Sequence, residues 1–280
     1  MWTSILQSIK NLLANQNKKI ILLAMLASAS SYLYIKFIHQ KFIGYISIKL
    51  HTYSTLYKKY YRPKRIYFIR HGESRGNVDK FIYTKTPDNK VEITELGHEQ
   101  AKNAGLELLD LIKKVPDFNT ANLKIKFFVS PFTRTIQTYQ EISKILKDNN
   151  INHVFIEEPL VREQEWGYFQ KSNFDEVKSE RDKVGKFFYR FTDGESGADV
   201  FDRCSHFLDS LYRNMDNTNR EKYDIYVIVS HGLFIRLFLM RFFRWTIDYF
   251  ESTNNLKNCQ IISLMKRESD HKYILEKDIF

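Results

Sequence analysis

The sequence predicts an α/β fold: a three-layer α/β/α sandwich with a mostly parallel central sheet, preceded by an N-terminal hydrophobic helix. Three observations carry that expectation. Apolar runs at 65–70, 125–129 and 225–229 read as buried strands, because a parallel sheet covered on both faces is apolar at nearly every position. Between them lie stretches of helical period, and strands alternating with helices make layered α/β structures. Ahead of them stands an uncharged run over 20–35, flanked by Lys18 and Lys19 on one side and Lys36, Lys41 and Lys49 on the other.

The remaining elements follow in order. The stretch 53–63 is a polar-aromatic connector, with Pro63 the last breaker before the first strand. A helix over 94–110 has Thr94 as its N-cap ahead of Glu95. After strand 125–129 come a helix over 132–147, a short strand over 154–156, and helices over 174–190 and 199–214. Strand 225–229 leads into a helix over 233–243, and strands at 259–265 and 273–275 close the chain. This divides the chain into an N-terminal segment, 1–60, and a domain, 61–280.

Charge separates the same two parts. The 280 residues carry a formal net charge of +10, yet residues 1–72 hold twelve of the 43 Lys and Arg and none of the 33 acids. Residues 73–280 therefore carry 31 bases against 33 acids, which argues against nucleic acid as a partner. The basicity belongs to the N-terminal segment and points to a membrane. With Lys36 snorkelling, 20–38 makes a helix about 28 Å long, enough to cross a hydrocarbon core of about 30 Å. The expectation is a single-pass anchor with the following domain on the cytosolic side. A cleaved signal peptide, a surface-lying helix or a soluble cytoplasmic chain are the alternatives. Cys204 and Cys259 form neither a disulfide framework nor a metal cluster.

Chemistry is concentrated at three strand ends. The first strand ends in Arg70-His71-Gly72, the second in Ser130-Pro131 with Arg134 one helical turn in, and the third in Ser230-His231-Gly232. Ligands of such sheets bind beyond the carboxyl ends of the strands, so two imidazoles and two guanidiniums should meet there. Guanidiniums beside an imidazole make a place for a phosphate, and the imidazole is a candidate nucleophile for its phosphorus. Gly72 lets the backbone come close to whatever binds.

With further motifs the chain resembles the histidine phosphatases, the superfamily that includes cofactor-dependent phosphoglycerate mutase and many acid phosphatases. The resemblance rests on Arg70-His71-Gly72-Glu73-Ser74 with Asn77, Thr94-Glu95-Leu96-Gly97, Ser130-Pro131-Phe132-Thr133-Arg134-Thr135 with Thr138, Arg162-Glu163 before Gly167, and Ser230-His231-Gly232. Finer texture resembles a fungal and plant subgroup of broad-range acid phosphatases: Gly76-Asn77-Val78-Asp79, Arg162-Glu163-Gln164, and 187–191 running on to Gly194-Glu195-Ser196-Gly197-Ala198-Asp199.

The resemblance implies roles. His71 would attack phosphorus, while Arg70, Arg134 and His231 hold the phosphoryl oxygens. Glu163 would be the general acid and then the base, its spacing to Gly167 favouring it over Glu165. Asn77 would be an accessory phosphate donor, with Gly72 and Thr94 at the border of the pocket. No metal and no cofactor are implied. The region 174–214 would form a lid, where Arg181, Lys183 and Arg190 either meet a second anionic group or face water. Phe187, Phe188, Tyr189 and Phe191 read as core more than as a stacking platform. The implied activity is a phosphomonoesterase acting on a phosphorylated small molecule through a phosphohistidine. A phosphoglycerate-type mutase or sugar-bisphosphate phosphatase is the alternative, and a non-catalytic phospho-binding scaffold a third. Oligomeric state is left open.

Overall fold

The computed structural model describes residues 2–115, 119, 122–167, 174–217 and 221–276. Contacts separate two units, Met1–Tyr57 and Lys58–Phe280. Helix α1 runs Trp2–Tyr60, 59 residues with no acidic side chain, and its described side chains are almost all exposed. One window of 18 residues has a mean hydropathy of 1.7 with none of it buried, so the helix is long and apolar enough to cross a membrane. A signal sequence near an N-terminus meets the same criterion.

The stretch expected as a connector is helical as far as Tyr60. Thr52 and Thr55 place their hydroxyls on Ile48 O and His51 O, each at 2.9 Å, and so do not compete with the helical ladder. Lys58 and Lys59 sit at the negative end of the helix dipole. The helix stops before Pro63, which disfavours helical geometry at Arg62.

The second unit is built on six strands: β1 Arg65–Arg70, β2 Ile125–Val129, β3 His153–Glu157, β4 Ile225–Ser230, β5 Ile261–Lys266 and β6 Tyr273–Leu275. Their order is β3-β2-β4-β1-β5-β6. The first four are mutually parallel, while β5 pairs antiparallel with β1, and β6 with β5. Successive side chains alternate between two cores. Ile66, Phe68, Phe128, Tyr226 and Ile228 face one, with Val200, Phe207, Phe234 and Phe238 from helices α6 (Gly197–Asp216) and α7 (Gly232–Phe243). Tyr67, Ile69, Phe127, Val129, Val227 and Val229 face the other, with Leu108, Ile112, Ile142 and Leu146 from α3 (Glu95–Lys113) and α4 (Thr133–Asp148). The three layers follow from this two-sided burial, at roughly 1.5–3 kcal/mol per fully buried large side chain.

Three short helices complete the unit: α2 Arg75–Val78, α5 Phe174–Val184 and α8 Ile247–Ser252. The helix expected over 174–190 ends at Val184, because Gly185 takes φ +94°. The strand expected from 259 begins at Ile261, since Cys259 sits at φ +59° in the turn before it. Helix α8, capped by Thr246, had no sequence signal strong enough to be expected.

Candidate active site

Sheet register assembles the site. Strand β4 lies between β1 and β2, pairing Arg70 with Ser230 and Val129 with Val229. The ladder runs on past the strand ends, with His71 N donating to Ser230 O at 3.0 Å and Ser130 N to Val229 O at 3.0 Å. Residues that end three strands thus become neighbours, and the His71 and His231 rings lie 5.2 Å apart. Helices α4 and α7 begin at once behind Ser130 and His231, so the positive ends of both dipoles start here.

Hydrogen bonds fix both imidazoles. His71 Nδ1 lies 2.7 Å from Gly72 O, an acceptor only, so Nδ1 carries the proton and Nε2 keeps its lone pair. Ser130 Oγ accepts from Phe132 N and lies 2.8 Å from His231 Nε2, and since its hydroxyl has no other acceptor among the described residues, donation to Nε2 is the assignment that satisfies it. His231 therefore carries its proton on Nδ1. That nitrogen is buried, has no hydrogen-bond partner among the described residues, and stands 3.8 Å from Glu163 Oε2.

The loop behind His71 is braced from several sides. Gly72 N donates to Thr138 Oγ1 at 2.9 Å, and Asn258 Nδ2 donates to His71 O at 3.1 Å. Asn77 Oδ1 accepts from Ser74 N, Ser74 Oγ and Asn258 Nδ2, at 3.0, 3.1 and 3.2 Å. A Cβ on Gly72 would stand 2.5 Å from Gly97 O, a backbone contact that only glycine permits. Thr94 Oγ1 caps α3 through Gly97 N at 3.0 Å and donates to Glu73 Oε1 at 2.9 Å.

Both arginines are held by groups outside their own strand ends. Arg134, 3% exposed, donates to Asp88 O at 2.8 Å and to Asp88 Oδ1 at 2.7 Å, with its guanidinium over the Phe132 ring. Arg70 Nη1 donates to Leu256 O, while its buried Nε has no partner among the described residues.

Burial sets the proton affinities. It holds His71 well below the ordinary imidazole value of 6.5, helped by the Arg134 and Arg70 charges. His231 is lowered for the same reasons. Burial pushes Glu163 above the ordinary 4.5, against the pull of Arg134. A neutral imidazole with a free lone pair thus shares the site with a carboxyl whose proton affinity is raised.

The expected residues do not all behave alike. His71, His231, Glu163, Arg70 and Arg134 share one neighbourhood, since the charges of both arginines act on all three titrating groups. Arg181 joins it, within electrostatic reach of Glu163 and with its guanidinium over the Trp166 and Phe191 rings. Lys183 is exposed, and Arg190 pairs with Asp199 at 2.7 Å. Phe187 and Phe191 are buried whereas Phe188 is exposed.

Sequence reasoning missed Asp88 and Asn258, and also Lys80 and Tyr83, both on the short 3-10 helix Lys80–Thr84. Lys80 Nζ donates to Gly76 O at 2.7 Å, and a Cβ on Gly76 would meet Tyr83 Oη. Burial, with Asp88, pushes the Tyr83 phenol up to about 12. None of these four lies at a strand end or in a motif, so only the folded chain brings them in. No cluster of three or more His, Cys, Asp or Glu suited to a metal occurs among the described residues.

The profile of the histidine phosphatase superfamily (branch 1) matches residues 66–277. Phosphoglycerate mutase-like protein AT74 of Arabidopsis thaliana is 45% identical over 204 residues, 71% of this chain and 64% of its own length, so the match spans under two thirds of that relative. Broad-range acid phosphatase DET1 of Saccharomyces cerevisiae is 30% identical, covering 76% of this chain and 89% of its own. A solved mycobacterial glucosyl-3-phosphoglycerate phosphatase shares the fold at TM-score 0.55 and 17% identity, over 78% of this chain and 98% of that one. Strand-end histidines on a largely parallel sheet, and a family match over nearly the whole second unit, place this chain in the histidine phosphatase superfamily.

Proposed function

We propose that this chain is a metal-independent phosphomonoesterase of broad-range acid phosphatase type, acting on a phosphorylated small molecule through a phosphohistidine at His71. Arg181 Nε is a further unpartnered buried nitrogen of this neighbourhood, and the observation that carries the reading is that Arg70 Nε and His231 Nδ1, buried and without a partner among the described residues, lie beside a neutral imidazole. Buried donors without acceptors are rare, and a tetrahedral anion would satisfy both.

In the first step His71 Nε2 attacks phosphorus as the P–O ester bond breaks, and Glu163 gives its proton to the leaving oxygen. In the second, the Glu163 carboxylate takes a proton from water. The water oxygen then bonds to phosphorus, and the P–N bond breaks to restore the His71 lone pair. Arg70, Arg134 and the Nδ1 proton of His231 hold the phosphoryl oxygens through both steps, which is where a cation would otherwise act. Asn77, Gly72 and Thr94 serve the loop that presents His71. The broad-range acid phosphatase among the relatives supports a hydrolase over a transferase.

The experiment is a turnover panel of phosphomonoesters, with His71→Ala as control and acid-labile phosphate labelling as the readout of the intermediate. Loss of both turnover and labelling in that variant is expected; labelling that persists excludes His71. A mutase is the second reading, favoured by the description of AT74 and by the cations Lys80 and Arg181 near the site. It would show as phosphoryl transfer between positions of a bisphosphate rather than release of phosphate. We further infer that 20–38 anchors the chain in a membrane, supported by the acid-free helix; lysines flank both of its ends and do not orient it, and the further bases at 58–65 favour the cytosolic side for the second unit.

A further inference from the structure

Glu163 sits on a segment without regular secondary structure, 162–167, between the 3-10 turn Pro159–Val161 and the lid region. A general acid must be aimed to within a fraction of an ångström, and the Glu163 carboxyl makes one described hydrogen bond, from Gln164 N to Oε1 at 3.0 Å, besides standing 3.8 Å from His231 Nδ1. Something must hold the backbone instead.

Arg203 on α6 is 6% exposed and spends all five of its N–H groups on this segment or on the carboxylate beside it. Nη1 donates to Leu160 O and to Arg162 O, each at 2.9 Å, and Nη2 donates to Glu163 O at 3.2 Å. Nε and Nη2 grip the two carboxylate oxygens of Glu195, at 3.1 and 2.8 Å. Glu195 then extends the grip. Its carboxylate accepts from Arg162 Nη2 at 2.9 Å and from Glu165 N at 3.0 Å, while its carbonyl accepts from Gln164 Nε2 at 2.8 Å. Backbone positions 160, 162, 163 and 165 are thus tied to one ion pair, of which Arg203 is buried and Glu195 largely so. Such pairs contribute little to stability compared with apolar packing of the same volume, so this one is better explained by the geometry it fixes.

We propose that Arg203, clamped by Glu195, is the positioning residue that aims the Glu163 carboxyl at the leaving oxygen. It touches no reacting atom. The assignment rests on the reading of Glu163 as the general acid. Lysine cannot replace it, because an ammonium has no planar fork with which to hold three carbonyls and a carboxylate together.

The test compares full-length wild type, Arg203→Lys, Glu195→Gln and Glu163→Gln on para-nitrophenyl phosphate, whose leaving group needs no proton, and on glycerol phosphate, whose leaving group does. Arg203→Lys should lower kcat/KM, which reports the phosphorylation step before Glu163 acts as base, by about a hundredfold on glycerol phosphate, the effect of a misplaced catalytic group, and by less than about threefold on the aryl ester. KM for glycerol phosphate, whose slow step is phosphorylation, should stay within about twofold, as befits a residue that acts through the chemical step. Glu195→Gln should show the same selectivity at smaller size, and it serves as the test if Arg203→Lys does not fold. Equal losses on the two esters, or no loss on either, overturn the assignment. If Glu163→Gln is selective and the clamp variants are not, Arg203 alone is misassigned. If Glu163→Gln itself is unselective, the general-acid reading fails and takes this proposal with it.

Discussion

Raising the pH through the acidic range should first increase and then decrease kcat/KM, with both limbs displaced from where unperturbed side chains would put them. The proposed mechanism needs His71 neutral and Glu163 protonated together. Burial, with the Arg134 and Arg70 charges, holds His71 well below 6.5, and burial lifts Glu163 above 4.5. With unshifted groups the proton populations are in the wrong order. At a pH midway between the two values each group is about 9% in its working form, and only about 1% of molecules have both. Shifts that bring the two values together or past one another recover up to about a hundredfold of this loss, at about tenfold per unit.

The assay is kcat/KM on an alkyl phosphate from about pH 3 to about pH 9 at constant ionic strength, for wild type and Glu163→Gln. The substrate's own ionisation, near a pKa of about 6, is common to both proteins and cancels in the comparison. The acid limb should fall below the ordinary imidazole range, and Glu163→Gln should abolish the basic limb. Since the imidazoles and the carboxyl influence one another, the limbs belong to the group of residues and not to one of them. An optimum on the alkaline side of neutrality, or a basic limb that survives Glu163→Gln, would refute the reasoning.

Three more outcomes are open to measurement. Ser130→Ala removes the donor that fixes the His231 tautomer at 2.8 Å, and should lower kcat/KM by about tenfold, the value of one hydrogen bond of roughly 1.4 kcal/mol; a variant indistinguishable from wild type would remove the tautomer argument. Gly72→Ala puts a Cβ 2.5 Å from Gly97 O, where backbone must move, and should cost about 1–3 kcal/mol in urea unfolding; a loss under about 0.5 kcal/mol would mean that the contact yields freely. The full-length chain should stay in the membrane pellet after extraction with alkaline carbonate, because α1 is long and apolar enough to span. Release by that treatment would leave a peripheral or processed helix as the explanation.

How much of this was legible in the sequence depends on where each residue gets its constraint. Arg70, His71, Ser130, Ser230 and His231 sit at the ends of apolar runs, and parallel register does the rest, so period and position were enough to gather them. Thr94 was legible as a cap because capping is local, and the structure bears it out with Gly97 N at 3.0 Å. Asp88 was not legible, because its importance lies in a contact with Arg134, 46 positions away. Asn258 is further still, 187 positions from the His71 carbonyl it supports. The end of helix α5 was misread for a different reason. The charged stretch 174–184 keeps helical propensity, and it is the positive φ of Gly185 that stops it, a conformation glycine permits but does not announce. The connector at 53–60 went the other way. Its threonines turned their hydroxyls back onto the helix, and no breaker occurs before Pro63.

The placement of charge explains why the site keeps neutral imidazoles among cations. Burial lowers the proton affinity of Arg70 and the Arg134 charge lowers it further, the two guanidiniums repelling each other across the site. Each therefore leans on a protein oxygen, Asp88 for Arg134 and the Leu256 carbonyl for Arg70. A protonated His71 or His231 would add a third or fourth positive charge in a buried space, and burial with these arginines forbids it. The field that keeps His71 neutral is thus the field that would attract a dianion, and the proposed nucleophile and a phosphate would come together without competing for a proton. Glu163 carries the opposite consequence. Burial raises its proton affinity even though the same arginines pull it down, so it holds its proton best where the imidazoles hold theirs least. One buried cationic pocket sets all three protonation states, and moving either arginine's charge should shift every one of them together.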